Sequence, residues 1–159
     1  MGEPRPSGVN RTALLAGIGS ALAIGAMEAL SVASAFPMAV IPFATSIVLV
    51  IAMPDAKPAQ PRALVGGHLV ATVVGLVIVK LTGPQGWAAA VAVGLAVAAM
   101  ILTDTLHPPA GINPLLVVAG NMSWSYLIVP VLAGALLLLA FAWIWHRVVR
   151  RDVWPARWV

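Results

Sequence analysis

Four long apolar runs alternate with two short ones along this chain. The long runs cover roughly 12–34, 63–82, 86–106 and 124–146, and the short ones roughly 37–53 and 109–120. A helix needs about 20 mostly apolar residues to cross a bilayer, so each long run predicts a transmembrane helix. Each short run follows a long one and is punctuated by proline, which lacks a backbone N–H and interrupts a helix. Arg11 ahead of the first run and Ala33-Ser34-Ala35 at its end imitate a signal sequence. That run is about twice as long as a signal-peptide core and carries Glu28, so it is read as a transmembrane helix.

The two halves share a pattern. Pro37 and Pro42 lie five apart ahead of an apolar stretch, as do Pro109 and Pro114, and a full-length run follows each. This predicts an all-α polytopic membrane protein made of two repeats of long helix, short broken helix, long helix. The repeats cover about 12–82 and about 84–146, with residues 1–11 as an N-terminal segment and 147–159 as a basic tail. Six crossings place Lys57, Arg62, Arg147, Arg150, Arg151 and Arg157 on the side of Arg5 and Arg11. The positive-inside rule then puts both termini in the cytoplasm. Three segments per half makes the repeats inverted, an arrangement common in transporters. The competing reading treats the short runs as re-entrant. About 12 helical residues span only about 18 Å, and the hydrocarbon core is roughly 30 Å thick. Four spans would then remain, with Lys57 and Arg62 on the opposite face; six segments is the preferred expectation.

Composition narrows the class. The chain is 61% hydrophobic and 9% charged, with mean hydropathy +1.00, which is membrane-protein territory. Its 159 residues make one membrane domain. It has no cysteine, which excludes disulfides and thiolate chemistry. A net charge of +4 does not point to nucleic acid; the arginines cluster near the ends, where orientation signals and lipid headgroup contacts fall.

The most informative stretch is 105–114. Prolines 108, 109 and 114 remove three donors, and Pro108 drives His107 away from helical backbone. Non-helical backbone at membrane depth survives only inside protein or beside a watery cavity. An ionisable residue there marks a candidate binding site. Asp104 and His107, three apart, are expected on one helical face, with an interfacial cap as the alternative. His68 and Thr72 share a face of the third segment, continued by Gly75. Glu28 lies within the first span, with a tie to a neighbouring helix as the alternative. No compact metal motif, phosphate loop or nucleophile elbow appears, so neither a metal site, a cofactor nor an enzyme is expected.

Helices starting at Pro109 and near Pro42 would expose free N–H groups and a positive dipole end. Two such starts converging near the midplane could hold a small anion, with Thr45, Ser46 and Asn113 as neutral donors and His107 as a titratable one. The alternative is that these prolines only kink packing helices. Ala13, Gly17, Ala21, Gly25 and Ala29 form a small-residue stripe that lets another helix approach, inside the protein or between copies. Lys80 is expected to snorkel, and Trp124, Tyr126, Trp143 and Trp145 to sit at the interfaces.

His107-Pro108-Pro109-Ala110-Gly111 with Asn113-Pro114 resembles the signature of the HPP family of integral membrane proteins. So do Ala44-Thr45-Ser46, Ala59-Gln60-Pro61-Arg62 and Gly66-Gly67-His68, and the resemblance runs over about 12–146. It implies four transmembrane segments, as the family is usually described. It also implies a link to nitrite transport, which is attributed to plant and cyanobacterial members. Some relatives add a nucleotide-binding module of the CBS type, which is not expected here.

The leading expectation is a transporter or channel for a small inorganic anion, nitrite first, in a bacterial inner membrane. The expected binding residues are His107, Pro108, Pro109, Gly111, Asn113, Thr45, Ser46, Gly67 and His68. Proton coupling is expected from Glu28, Asp104 and His107. Membrane lipid and a second copy of the chain, most simply in a dimer, are the expected partners. The alternative function is a structural or regulatory membrane subunit without transport.

Overall fold

Nearly continuous Ala, Val, Leu and Ile make every long run helical. The computed structural model describes residues 7–34 and 40–158. Arg5, Ala35 and Pro37 lie outside the described residues. Within them the chain forms six α-helices and no strand: α1 Ser7–Ser34, α2 Val40–Ala52, α3 Pro61–Thr82, α4 Gly86–Leu102, α5 Asn113–Ala119 and α6 Ala133–Ile144. A 3₁₀ turn at Pro108–Ile112 leads into α5, and π-helical turns at Leu127–Leu132 and Trp145–Arg150 extend α6. Three stretches are long and apolar enough to cross a membrane: Arg11–Ala33, Pro61–Thr82 and Leu127–Arg150. Pro42–Ala52, Gly86–Leu102 and Pro108–Ala119 are shorter apolar helices.

The run expected over 86–106 therefore stops early. Thr103 Oγ1 donates to the Ala99 carbonyl, and Asp104 turns left-handed at φ 54°. Thr105 N–H then reaches back to Met100 O and Asp104 N–H to Ile101 O, a Schellman closure. Asn121 ends α5 the same way, at φ 47° with Met122 N–H on Val117 O. The last long run is also interrupted. Val129 is extended (φ −128°, ψ 120°), as a residue before proline tends to be, and Pro130 follows it.

The end of α2, the start of α3, the end of α4 and the tail meet at one end of the bundle. Arg62 Nη2 donates to Thr103 O, Arg150 Nη1 donates to Ile51 O, and Gln60 Oε1 accepts from the N–H groups of Ala156 and Arg157. From that end α5 rises alongside α3: Asn113 sits by His68 and Thr72, and Val117 by Gly75. α3 packs on α4 and α5, while α6 packs on α1 and α2. Exchanging α1 with α4, α2 with α5 and α3 with α6 turns one set of neighbours into the other.

Small residues set these distances. A methyl on Gly67 would lie 2.6 Å from His107 Cβ and 2.8 Å from the Thr105 carbonyl; one on Gly75 would lie 2.8 Å from Pro114 Cα. The 105–114 stretch thus rests directly on the backbone of α3. Trp145, expected at an interface, is instead buried, stacked on Phe141 and seated where Gly19 leaves room. Trp124 and Trp143 are exposed, as is Lys80.

Gly67→Ala should lower stability by about 1–3 kcal/mol through overpacking. Gly17→Ala, which meets nothing within 4 Å, should change it little. Thermal unfolding of the two variants in mild detergent checks this; equal melting temperatures would contradict the close approach.

Candidate functional site

Five buried polar residues, Ser46, His68, Thr72, His107 and Asn113, join into one chain of hydrogen bonds. His107 is extended (φ −127°, ψ 96°) because Pro108 follows it, so its ring leaves the helical register and turns into the bundle. Its Nδ1–H donates to the Pro58 carbonyl at 2.7 Å. A carbonyl only accepts, so with one proton on the ring His107 Nε2 is bare and accepts the Ser46 hydroxyl at 2.8 Å. Ser46 Oγ in turn accepts His68 Nε2–H at 2.9 Å, and His68 Nδ1 accepts from Asn113 Nδ2 at 3.0 Å. Asn113 Nδ2 also donates to Thr72 Oγ1 at 2.8 Å, whose own proton goes to the His68 carbonyl at 2.7 Å. Every donor in this sequence points the same way, from Asn113 through His68, Ser46 and His107 to Pro58.

Ser46, His68, Thr72, His107 and Asn113 are all buried. Phe43 covers the His68 ring, with centroids 4.5 Å apart, and the two imidazoles lie 5.1 Å apart. His68 is seven residues into α3, about 10 Å from its start at 1.5 Å per residue. One acceptor stays unmatched: Asn113 Oδ1 is buried and has no partner. Among the described residues no cluster of three His, Cys, Asp or Glu side chains forms a metal cradle.

Two chemical properties follow. The Ser46 proton has a second acceptor, the Pro42 carbonyl at 3.3 Å. Turned that way, Ser46 can accept from both imidazoles at once, so an additional proton can reside on His107 while the chain stays joined. Asn113 Oδ1 is left as a bare acceptor at the other end of the chain.

The transmembrane-region profile of the HPP family matches residues 5–155. The chain belongs to the HPP family. This HPP chain is also similar to two transmembrane proteins of Dictyostelium discoideum. One is 36% identical over 124 residues, covering 73% of this chain and 44% of that protein. The other is 37% identical over 124 residues, covering 73% of this chain and 40% of that protein. The HPP chain thus spans less than half the length of these curated relatives. No solved structure matches it.

The HPP motif residues converge in space. Ser46, His68, His107 and Asn113 form the chain itself, and Gly67 supplies the space beneath His107. Pro109 and Gly111 are half-buried in the adjoining turn, while Pro108 is exposed. Thr45 faces outward, one position from Ser46 and on the other side of α2. Glu28 is exposed on α1 and Asp104 is exposed in an ion pair with Lys57 at 2.6 Å, so neither joins His107. The shared helical face expected for Asp104 and His107 is absent, because α4 ends at Leu102 before both of them. Lys57, hydrogen-bonded to Asp104, holds that carboxyl below its ordinary range, so the pair persists until the pH falls past that lowered value.

Sequence reasoning missed Pro58, whose carbonyl ends the chain, and had Gln60 only as part of a family motif, without its role as the clamp on the tail; a backbone acceptor in a loop carries no side-chain signal. His146, buried with Nε2–H on the Val50 carbonyl, was also missed, although a histidine in the last apolar run was there to be seen.

Ser46→Ala should strip a partner from both imidazoles and lower stability by about 1–3 kcal/mol for each buried group left unmatched. Thr45→Val on the outer face should stay within about 0.5 kcal/mol of the parent. Melting curves in detergent compare the two, and an equal cost would refute the hydrogen-bond chain.

Proposed function

We propose that this HPP protein is a proton-coupled transporter or channel for a small inorganic anion, with nitrite as the first substrate to test. The observation that carries this reading is the hydrogen-bond chain inside the bundle. It is fed by α2 through Ser46 and by the broken segment through His107 and Asn113. Polar side chains are expensive in a membrane interior, so a connected set of them marks a pathway more often than a packing device.

Charge placement supports the coupling. The site holds two imidazoles and no permanent cation, while Lys57, Arg62 and Arg157 stay at one end of the bundle. An anion entering such a core without a counter-charge faces a large desolvation cost. A proton carried on His107 or His68, or on the anion itself, removes it. The histidines then serve as proton carriers, and Asn113 Oδ1 accepts a hydrogen bond from the protonated guest. In this reading the proton moves through His107, Ser46 and His68, without Glu28 or Asp104.

The clustering of Arg62, Arg150 and Arg157 with Lys57 at one end supports a cytoplasmic face there, with both termini on that side of a bacterial inner membrane. The exchangeable packing of α1–α3 and α4–α6 supports the inverted repeat. The α1 stripe of Gly17, Ala21, Gly25 and Ala29 is exposed beside Glu28. That favours a covering helix, most simply from a second copy in a dimer. The same stripe is the observation behind the second reading, a non-transporting subunit whose α1 docks on another membrane protein.

Nitrite entry into proteoliposomes, measured with and without an inward proton gradient, tests the proposal. Empty liposomes serve as the control for leakage of undissociated nitrous acid. Protein-dependent entry should rise with the gradient and fall by about tenfold or more in His107→Ala, as expected on removal of an essential proton carrier. Parent-like entry in that variant sinks the assignment of His107. Entry no faster than in empty liposomes, together with a stoichiometric co-purifying partner, would favour the subunit reading.

A further inference from the structure

A separate cavity of about 250 Å³ opens at the basic end of the bundle. Among the described residues, Lys57, Arg62 and Arg157 line it together with one carboxylate, Asp104. Ile101 and Leu106 make one wall apolar. Among the described residues three cations face one anion there, a net positive charge inside a concave site, which concentrates the field.

The cavity is built rather than incidental. Gln60 is buried at the start of α3, and its amide donates to the carbonyls of Pro54 and Ala56. Its Oε1 accepts the N–H groups of Ala156 and Arg157 at 3.0 and 3.2 Å. One side chain therefore shapes the loop that carries Lys57 and brings Arg157 across from the far end of the sequence. Trp154, buried beside His146, fastens the same tail. Arg62 spends one donor on Thr103 O, which orients its guanidinium and leaves the rest of the fork for a ligand. Lys57 is ion-paired with Asp104 at 2.6 Å, so the carboxylate is neutralised where it stands.

We propose that this cavity is a phosphate-binding site, distinct from the buried histidine chain and independent of the transport reading. Two arginines with a lysine are the donor set for a phosphate monoester or diester, since the guanidinium fork matches its oxygens. The volume exceeds what a small oxyanion needs, and the apolar wall of Ile101 and Leu106 adjoins the ligand's substituent. A headgroup phosphate of an anionic lipid and a free inorganic phosphate share this chemistry. Basic pockets between helices at the cytoplasmic face bind such headgroups in other membrane proteins.

The test uses the full chain in uncharged detergent, with three probes: inorganic phosphate by calorimetry, and phosphatidylglycerol and phosphatidylcholine by native mass spectrometry. Phosphate, phosphatidylglycerol or both should bind, and phosphatidylcholine should bind more weakly. Binding of phosphatidylglycerol that phosphate cannot displace identifies the lipid as the source; binding of phosphate alone identifies the soluble ion. Arg62→Gln and Arg157→Gln should each weaken binding about tenfold, the loss of one charge-assisted hydrogen bond. Asp104→Asn should tighten it about threefold or more, because Asn suits the left-handed position while Lys57 is released toward the ligand. This gain cannot come from misfolding and decides the matter if the arginine variants fail to fold. No binding by either phosphate probe, or the same affinity in the parent and Asp104→Asn, overturns the proposal.

Discussion

The Ser46 hydroxyl is the atom on which the interior depends. Each imidazole with a single proton has one donor and one acceptor, so two of them joined in line need a group between them that does both. Ser46 Oγ sits 2.9 Å from His68 Nε2 and 2.8 Å from His107 Nε2 and fills that role. The outer ends close on groups of fixed polarity, the Asn113 amide nitrogen and the Pro58 carbonyl. This polarity ties α2, α3 and the 105–114 stretch into one register, because a shift of any of them leaves a buried donor or acceptor bare. The glycines of α3 are the other half of the same constraint. Without Gly67 the His107 backbone could not lie close enough for its ring to reach both Ser46 and Pro58.

Packing elsewhere follows the same economy. In lipid, apolar side chains gain little by leaving hydrocarbon for a neighbouring helix, so close backbone approach and interhelical hydrogen bonds decide which helices pair. Gly75 admits Pro114, Gly19 admits the Trp145 ring, and Gly134 admits Phe43, which in turn covers His68. The apolar contacts divide into one cluster around α1, α2 and α6 and smaller ones along α3, α4 and α5. The polar chain crosses between these groups, and so does the link from Gln60 to the tail.

Legibility in the sequence followed the strength of the local physics. Runs of apolar residues made the helical membrane class plain, and proline chemistry located the broken segment and the extended His107. The four-residue spacing of His68 and Thr72 put both on one face of the third segment, the face that meets Asn113 in the structure. Direction was harder to read. A helix apolar nearly all round carries no amphipathic signal, so nothing in α1 or α2 told that Glu28 and Thr45 face outward while Ser46 faces in. Asp104 misled because aspartate is an uncommon occupant of the left-handed position that ends a helix; the usual glycine would have marked the stop at Leu102. Pro58 and Gln60 act through a carbonyl and a loop clamp, and both depend on partners about 40 to 100 positions away along the chain, beyond the reach of spacing arguments.

The separation of charge from polarity bears most directly on how an anion would travel. Lys57, Arg62, Arg150 and Arg157 gather at one end of the bundle, and the hydrogen-bond chain of the interior holds no permanent charge. A lysine or arginine in place of His68 would hold an anion tightly and would need a permanent counter-ion in its absence. An imidazole needs none, because it can be neutral. Pro58 lies where the two environments meet: it lines the basic cavity, and its carbonyl holds His107 Nδ1. A shift of the 57–59 turn would change the acceptor offered to His107 and, through Ser46, the proton held by His68. The basic cavity and the buried chain are therefore adjacent, joined through one backbone carbonyl.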